Sequence, residues 1–329
     1  MSNWRTTFRK IALVCIALSM QACGADDKSN LSESDAIGNE MATDIATDPQ
    51  ADYLQNRDLF LKMAKQESRE SDRAILDNER EPQALMLAAL RRADSNLLKD
   101  LKYLGSLLTD TDFIARLDPP GSAASYSGLR LGAVLGVLAD NQHPYAKNIV
   151  ISQLDNEIMQ ADLLRVQLMV HVLAELNDPS SKVVDYWKSL AKSDSPLLFD
   201  VVQALCENRS DSALGLLEEM FLSQKYRSES KQTWMRQIIF VRRDNMRILA
   251  SAERLIRGRL PESLRSDLID VLYDYRPEEW YIGTVIPSLP TGNAISEEAS
   301  AIRQRIAEYA LSSMNLSVRQ REILQKSLQ

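Results

Sequence analysis

After Ala51, apolar residues recur at helical spacing along almost the whole chain, and no segment alternates as a half-buried strand would. Leu97, Leu98, Leu101, Leu104, Leu107 and Leu108 follow the i, i+3, i+4, i+7 pattern that puts side chains on one helix face. Leu163, Val166, Met169, Val170, Val172 and Leu173 do the same with small shifts, as do Leu264, Leu268, Val271 and Leu272. Between these stretches lie stop signals: Asp118-Pro119-Pro120-Gly121, Asn141-Gln142-His143-Pro144, Asn177-Asp178-Pro179, Asn208-Arg209-Ser210, and Gly258 with Pro261. Residues 282–289 have a strand-like composition, but Pro287 and Pro290 make that stretch a predicted loop. The pattern predicts an all-α chain.

The helical stretches come in pairs. Residues 131–140 run into His143-Pro144 and a second stretch near 145–154. Residues 166–178 run into Pro179 and then 183–190, and a weaker copy at 197–208 runs into 213–221. Leu138, Leu176 and Leu205 hold matching places, 38 and then 29 residues apart. A single helix pair cannot cover its own apolar face, whereas stacked pairs form a continuous core. The 278 residues after Ala51 are near the size at which one globular core stops growing, and such a length suits linear stacking. Gly132 and Gly136, four apart, favour close helix approach. Over residues 125–223 the pattern resembles HEAT repeats, in which an apolar helix ends in a short Asp-Pro turn and a second helix runs back. The resemblance implies an α-solenoid of about six helix pairs over residues 52–329. The basic residue usual in the second helix is inconsistent here, so TPR-like pairs stay open.

The start of the chain differs. Arg5, Arg9 and Lys10 precede a ten-residue, mostly apolar run, and Gln21-Ala22-Cys23-Gly24 sets a small residue before a cysteine. This is the order of a secretory signal. The apolar run is too short to cross a bilayer, which takes about 20 residues. The motif resembles the lipobox of bacterial lipoproteins, with Met20 where that family prefers Leu. The resemblance implies removal of residues 1–22, acylation of Cys23 (palmitate among the chains), and stable anchoring through more than one chain. Gly24 in place of Asp after the cysteine implies the outer rather than the inner membrane, with the chain facing the periplasm. An ordinary secretory signal cleaved after Ala22 is the alternative. Residues 23–51 carry seven acids and no aromatic residue, a composition that cannot bury enough apolar surface to fold. They read as a flexible acidic linker, reaching about 30 Å as a random coil.

Loss of residues 1–22 takes the formal charge from −7 to −10 and removes Cys15. With Cys23 acylated, Cys206 is the last thiol and no internal disulfide can form. Its apolar helical context reads as a buried, inert cysteine. Against the acidic background, residues 225–265 carry eleven basic and four acidic side chains. If residues 231–257 were largely helical, Arg236, Arg243, Arg247 and Arg254 would lie within about 20° of a common direction, with Arg257 nearby. Such a stripe could meet an anionic lipid, a glycan or an acidic partner by bidentate contacts. The stronger reading is a solvated face paired with acids of a neighbouring repeat, and a break between two helices near Asn245 would scatter the stripe. Nucleic acid is not indicated, because no aromatic residues interleave with the basic ones.

Motifs for catalysis are sparse. His143 precedes a proline in a turn and His171 lies in an apolar helix, and neither belongs to a zinc-ligand cluster. No Gly-x-Ser-x-Gly elbow accompanies them. Ser189 and Lys192 have the Ser-x-x-Lys spacing of penicillin-binding enzymes without the companion Ser-Asp-Asn and Lys-Thr-Gly elements. Asp274, Glu278 and Glu279 beside Tyr275, Trp280 and Tyr281 could be drawn as a sugar-cleaving pair, but a solvated helix end explains them better. The sequence therefore predicts a non-enzymatic binding or scaffold lipoprotein with no cofactor and no metal, acting on envelope protein partners. Binding of an anionic lipid or glycan by the arginine stripe is the alternative, and a solenoid-based enzyme is a remoter one.

Overall fold

The structure, a computed structural model, describes residues 53–66, 71–176, 181–208, 210–239, 245–274 and 296–329. Among the described residues the chain is all-helical, with seventeen α-helices and no strand. Those up to Ser189 form one unit and those from Leu190 form another.

The first unit holds α1 (Tyr53–Gln66), α2 (Asp72–Asn78), α3 (Pro82–Asp94), α4 (Leu98–Leu107), α5 (Thr111–Leu117), α6 (Leu131–Asp140), α7 (Pro144–Ser152), α8 (Glu157–Gln160), α9 (Leu163–Leu176) and α10 (Ser181–Leu190). Helix starts follow local chemistry. Pro82 and Pro144 occupy first-turn positions where no N–H is needed, preceded by Glu81 and His143, whose side chains accept from Ala84 N and Tyr145 N. Nine of the ten residues of α6 are buried, which requires neighbours all round. Those neighbours are α1, α3, α7 and α9. Helices α3, α6 and α9 pack in series, and α4 packs on α7 beside them. The α4–α7 approach is close, since a Cβ on Gly105 would meet Ile149 at 3.3 Å. Trp187 of α10 is fully buried and donates from its indole N–H to the Val170 carbonyl of α9.

The second unit holds α11 (Leu198–Glu207), α12 (Asp211–Leu222), α13 (Ser228–Trp234), which runs into a π-helical turn (Met235–Ile239), α14 (Met246–Arg257), α15 (Glu262–Tyr273), α16 (Glu297–Ser313) and α17 (Val318–Ser327). Ser210, Asn245 and Ser296 cap α12, α14 and α16 with their side-chain oxygens, and Ser317 with Gln320 forms a capping box on α17. Gly258 ends α14 where a Cβ would meet the Arg254 carbonyl oxygen at 2.8 Å, so only glycine fits. One layer runs from α11 to the π-turn, then to α15 and α17; a second runs α12, α14, α16.

Among the described residues the predicted helical stretches and stops are where the sequence put them, whereas Asn177-Asp178-Pro179 and the predicted loop at 282–289 lie outside the described residues. The turn at 141–143 separates α6 from α7, residues 208–210 separate α11 from α12, and Gly258 and Pro261 separate α14 from α15. The single helix on which the arginine stripe was drawn is not formed. Asn245 has extended backbone and caps a new helix, so Arg236 and the α14 arginines belong to separate helical segments. The physical reason is local: the Asn245 side chain accepts from Arg247 N and Ile248 N, which favours a helix start there over continuation.

Candidate functional site

The densest charged constellation lies along α12, α14 and α16. Helix α14 buries Ile248, Leu249, Ser251, Ala252, Leu255 and Ile256, leaving Arg247, Glu253, Arg254 and Arg257 outward or at the flanks. Arg247 meets Asp211 of α12 at 2.8 Å. One helical repeat further on, Arg254 donates from Nε and Nη2 to Oε1 of Glu218, at 3.0 and 2.6 Å. The Ser251 hydroxyl donates to the same oxygen at 2.8 Å. On the other side Arg305 of α16 holds both oxygens of Glu253, at 3.0 and 2.7 Å. Arg257 lies 3.1 Å from Glu253 and 5.1 Å above the Tyr309 ring.

The spacing is informative. Asp211 and Glu218 are seven apart, and so are Arg247 and Arg254; Glu253 and Arg257 are four apart, and so are Arg305 and Tyr309. Lower numbers meet lower numbers in each case, so α12, α14 and α16 run parallel, and the ionic row joins them. The carboxylates respond to their partners. The hydrogen bond from Arg305 holds Glu253 below the ordinary carboxylate range, against the opposing effect of burial, and the charges of Arg305, Arg257 and Arg254 add to it. The hydrogen bond to Glu218 raises Arg254. These arginines remain partly exposed, Arg254 by 56%, but any incoming anion would compete with a carboxylate already in place.

Of the five stripe residues, the structure brings Arg247, Arg254 and Arg257 together on α14. Arg236 sits half-buried on the π-turn, and Arg243 lies outside the described residues, as does Cys23. Sequence reasoning missed Asp211, Glu218, Arg305 and Tyr309. The matched seven-residue spacing on two helices was the available signal, weak because 36 positions separate the partners.

The remaining candidates have structural surroundings. His143 caps α7 through Nδ1 at 3.1 Å from Tyr145 N, and buried His171 stacks on Tyr126, with ring centroids 4.5 Å apart and planes within 6°. Cys206 is buried in α11. Ser189 donates to the Tyr186 carbonyl within α10, which ends at Leu190, before Lys192. Asp274 is buried and paired with Arg319 at 3.0 Å, while residues 275–281 lie outside the described residues. Among the described residues no group of three His, Cys, Asp or Glu is placed to hold a metal ion. An apolar interstice between Leu217, Phe221, Ile248 and Leu268 holds about 10 Å³, room for one water at most.

No known protein family matches the chain, and no curated protein and no solved structure matches it either.

Proposed function

We propose that this chain is a membrane-anchored binding protein of the bacterial envelope. In this reading lipid on Cys23 holds it to the outer membrane, residues 24–51 tether it on the periplasmic side, and stacked HEAT-like helix pairs offer a surface to an envelope protein partner. It carries out no chemistry of its own. The observation that carries the reading is the serial packing inside each unit: α3, α6 and α9 beside α4 and α7, and α12, α14 and α16 beside α11, the π-turn and α15. Pairs that bury their apolar faces only against their neighbours leave a long surface open for their mass, and such surfaces take up proteins. The arginine row favours this reading over an anionic lipid or glycan site, since Asp211, Glu218 and Glu253 engage Arg247, Arg254 and Arg305 as joints between successive helices, and Arg257 pairs with Glu253 within α14. No helix among the described residues is long and apolar enough to cross a membrane, and the motif at Cys23 offers a lipid instead.

The test is metabolic labelling with palmitate, followed by membrane fractionation and affinity purification of the full chain. Label on the wild type and none on Cys23→Ser, with a reproducible envelope protein co-purifying, is the expected result. An unlabelled chain that behaves identically with and without Cys23, and brings down nothing, overturns the proposal.

A further inference from the structure

Leu97 occupies a position where a polar residue is the rule. It is the N-cap of α4, a place that Ser, Thr, Asp and Asn fill because their side chains accept from the first free N–H groups, and its own side chain caps nothing. It is 49% exposed, and Leu98 beside it is 43% exposed. The turn that presents them is fixed. Asn96 has a φ of 56°, a left-handed conformation that Asn tolerates better than most residues. Leu97 N donates to the Ser95 hydroxyl at 3.3 Å. A local rule broken in favour of two solvent-facing leucines is the mark of a functional position.

The start of α7 lies beside them. Asn141, on the turn before α7, donates from Nδ2 to the Ala93 carbonyl near the end of α3, at 2.9 Å. Asn156, beyond α7, donates in the same way to the Leu108 carbonyl just after α4, also at 2.9 Å. Gly105 faces Ile149 between these two bonds, so α4 and α7 run parallel and begin at one edge. Pro144 is exposed there and Tyr145 half-buried, which extends the apolar strip.

The charge of this layer is positive. Lys99 and Lys102 of α4 are exposed and Lys147 of α7 is half-buried, and no ion pair engages them among the described residues. The one acid in the two helices, Asp100, is buried and held by Arg92. Asp94 and Asp140 end α3 and α6 at the same edge, where Lys65 and Arg57 answer them at 3.4 and 2.5 Å. The exposed acids Asp110, Asp155 and Glu157 come past the far ends of α4 and α7. The lysines thus differ from the arginine row, whose cations carboxylates already engage.

We propose that the edge formed by the starts of α4 and α7 docks on an anionic phospholipid bilayer, with Leu97, Leu98 and Tyr145 in the interface and Lys99, Lys102 and Lys147 against the headgroups. Leucine beside unpaired lysine is the composition of a surface that lies on a membrane, and lysine stems can run along the apolar strip while their ammonium groups reach phosphate. A turn that carries two leucines sinks into a deformable interface, whereas a protein would have to offer it a pocket. The contact needs no acyl chain on Cys23 and goes beyond the protein-binding reading. Its failure would leave a co-purifying partner untouched, and the lack of such a partner would leave vesicle binding as it is.

The experiment uses the full chain as Cys23→Ser, so that no acyl chain contributes and residues 1–22 are common to parent and variants. Vesicles are phosphatidylcholine alone, or with about a third phosphatidylglycerol. Cosedimentation should show at least tenfold tighter binding to the anionic vesicles, weakening between about 50 and 500 mM salt. Leu97→Asp supplies the missing N-cap, so its thermal midpoint should equal or exceed that of the parent while vesicle affinity falls at least tenfold. Lys99→Gln with Lys102→Gln should bind the two kinds of vesicle alike. Hydrogen exchange on anionic vesicles should slow the amides of residues 96–102 and 145–148 and leave those of α14 unchanged. The proposal is overturned if Leu97→Asp keeps the parent's affinity, if the parent binds both vesicles equally, or if the vesicles leave residues 96–102 unprotected. It is also overturned if Leu97→Asp instead abolishes a concentration-dependent dimer or the capture of an envelope protein, since a protein then covers the edge.

Discussion

Arg91 and Asp72 form an ion pair at 2.6 Å with side chains only 2% and 0% exposed. Arg92 extends the cluster to Asp100 at 2.8 Å, and the Ser95 hydroxyl donates to Asp100 at 3.0 Å. The network ties α2 to α3, and through the Ala64 carbonyl it reaches α1. Breaking a buried pair leaves a charge without compensation, at about 3–5 kcal/mol, whereas replacing both partners by apolar residues is often nearly neutral. Asp72→Ala is therefore expected to lower stability by about 3–5 kcal/mol in urea unfolding. The double variant Asp72→Leu with Arg91→Met is expected to recover most of that loss.

Asp118 is a remote cap. Its carboxylate accepts from Arg130 N at 2.8 Å and Leu131 N at 3.0 Å, satisfying the start of α6 from thirteen positions upstream. Burial raises its pKa, and the two N–H bonds oppose that shift. A raised carboxyl pKa in the fold means that the ionised form is the less favoured one, with stability lost as pH rises through the folded value. Asn keeps one acceptor and carries no charge. Asp118→Ala should thus cost about 2–4 kcal/mol, as a buried and a half-buried donor lose their acceptor, while Asp118→Asn stays closer to wild type. Thermal unfolding of both variants checks the order.

The pH dependence of Glu253 has the opposite sign. Its pKa in the fold is depressed, so its contribution is present above the unfolded value near 4.5 and is lost as pH falls through the folded one. Because the group is partly solvated, Glu253→Gln should lower stability at pH 7 by about 1 kcal/mol or less. The difference from wild type should shrink as pH falls below the ordinary carboxylate value. Urea midpoints measured from pH 7 to 3 test this. A gap that stays constant over that range would mean that Glu253 acts through packing and not through its charge.

The pair Arg254 and Glu218 separates a joint from a binding site. Arg254→Glu sets like charges together between α12 and α14 and should destabilise by about 1 kcal/mol. The swap of Glu218→Arg with Arg254→Glu should restore stability in a double-mutant cycle. A ligand-binding arginine would show no such recovery and would lose anion binding in both variants.

The sequence was most legible where one local rule decided the outcome. Asn141-Gln142-His143-Pro144 and Asn208-Arg209-Ser210 marked the helix ends at Asp140 and Glu207, and leucine periodicity marked α4, α9 and α15. The stripe was less legible. Angular arithmetic through residues 236–257 assumed an unbroken helix, and the Asn245 side chain competes with the backbone at that point. Partners separated by 36 to 118 positions, such as Arg254 with Glu218 or Arg57 with Glu175, are fixed by which helices stack. No local pattern carries that information. Asp118 was read as part of a Pro-Gly stop, and its role at α6 depends on a chain path that only the fold supplies.

The central claim, a tethered helical stack that binds an envelope protein, is tested most directly by crosslinking mass spectrometry on intact cells of the native host. The account predicts reproducible crosslinks from the helical units to the same envelope protein, diminished when Cys23→Ser takes the chain off the membrane. Crosslinks confined to the chain itself, unchanged between wild type and Cys23→Ser, would contradict it.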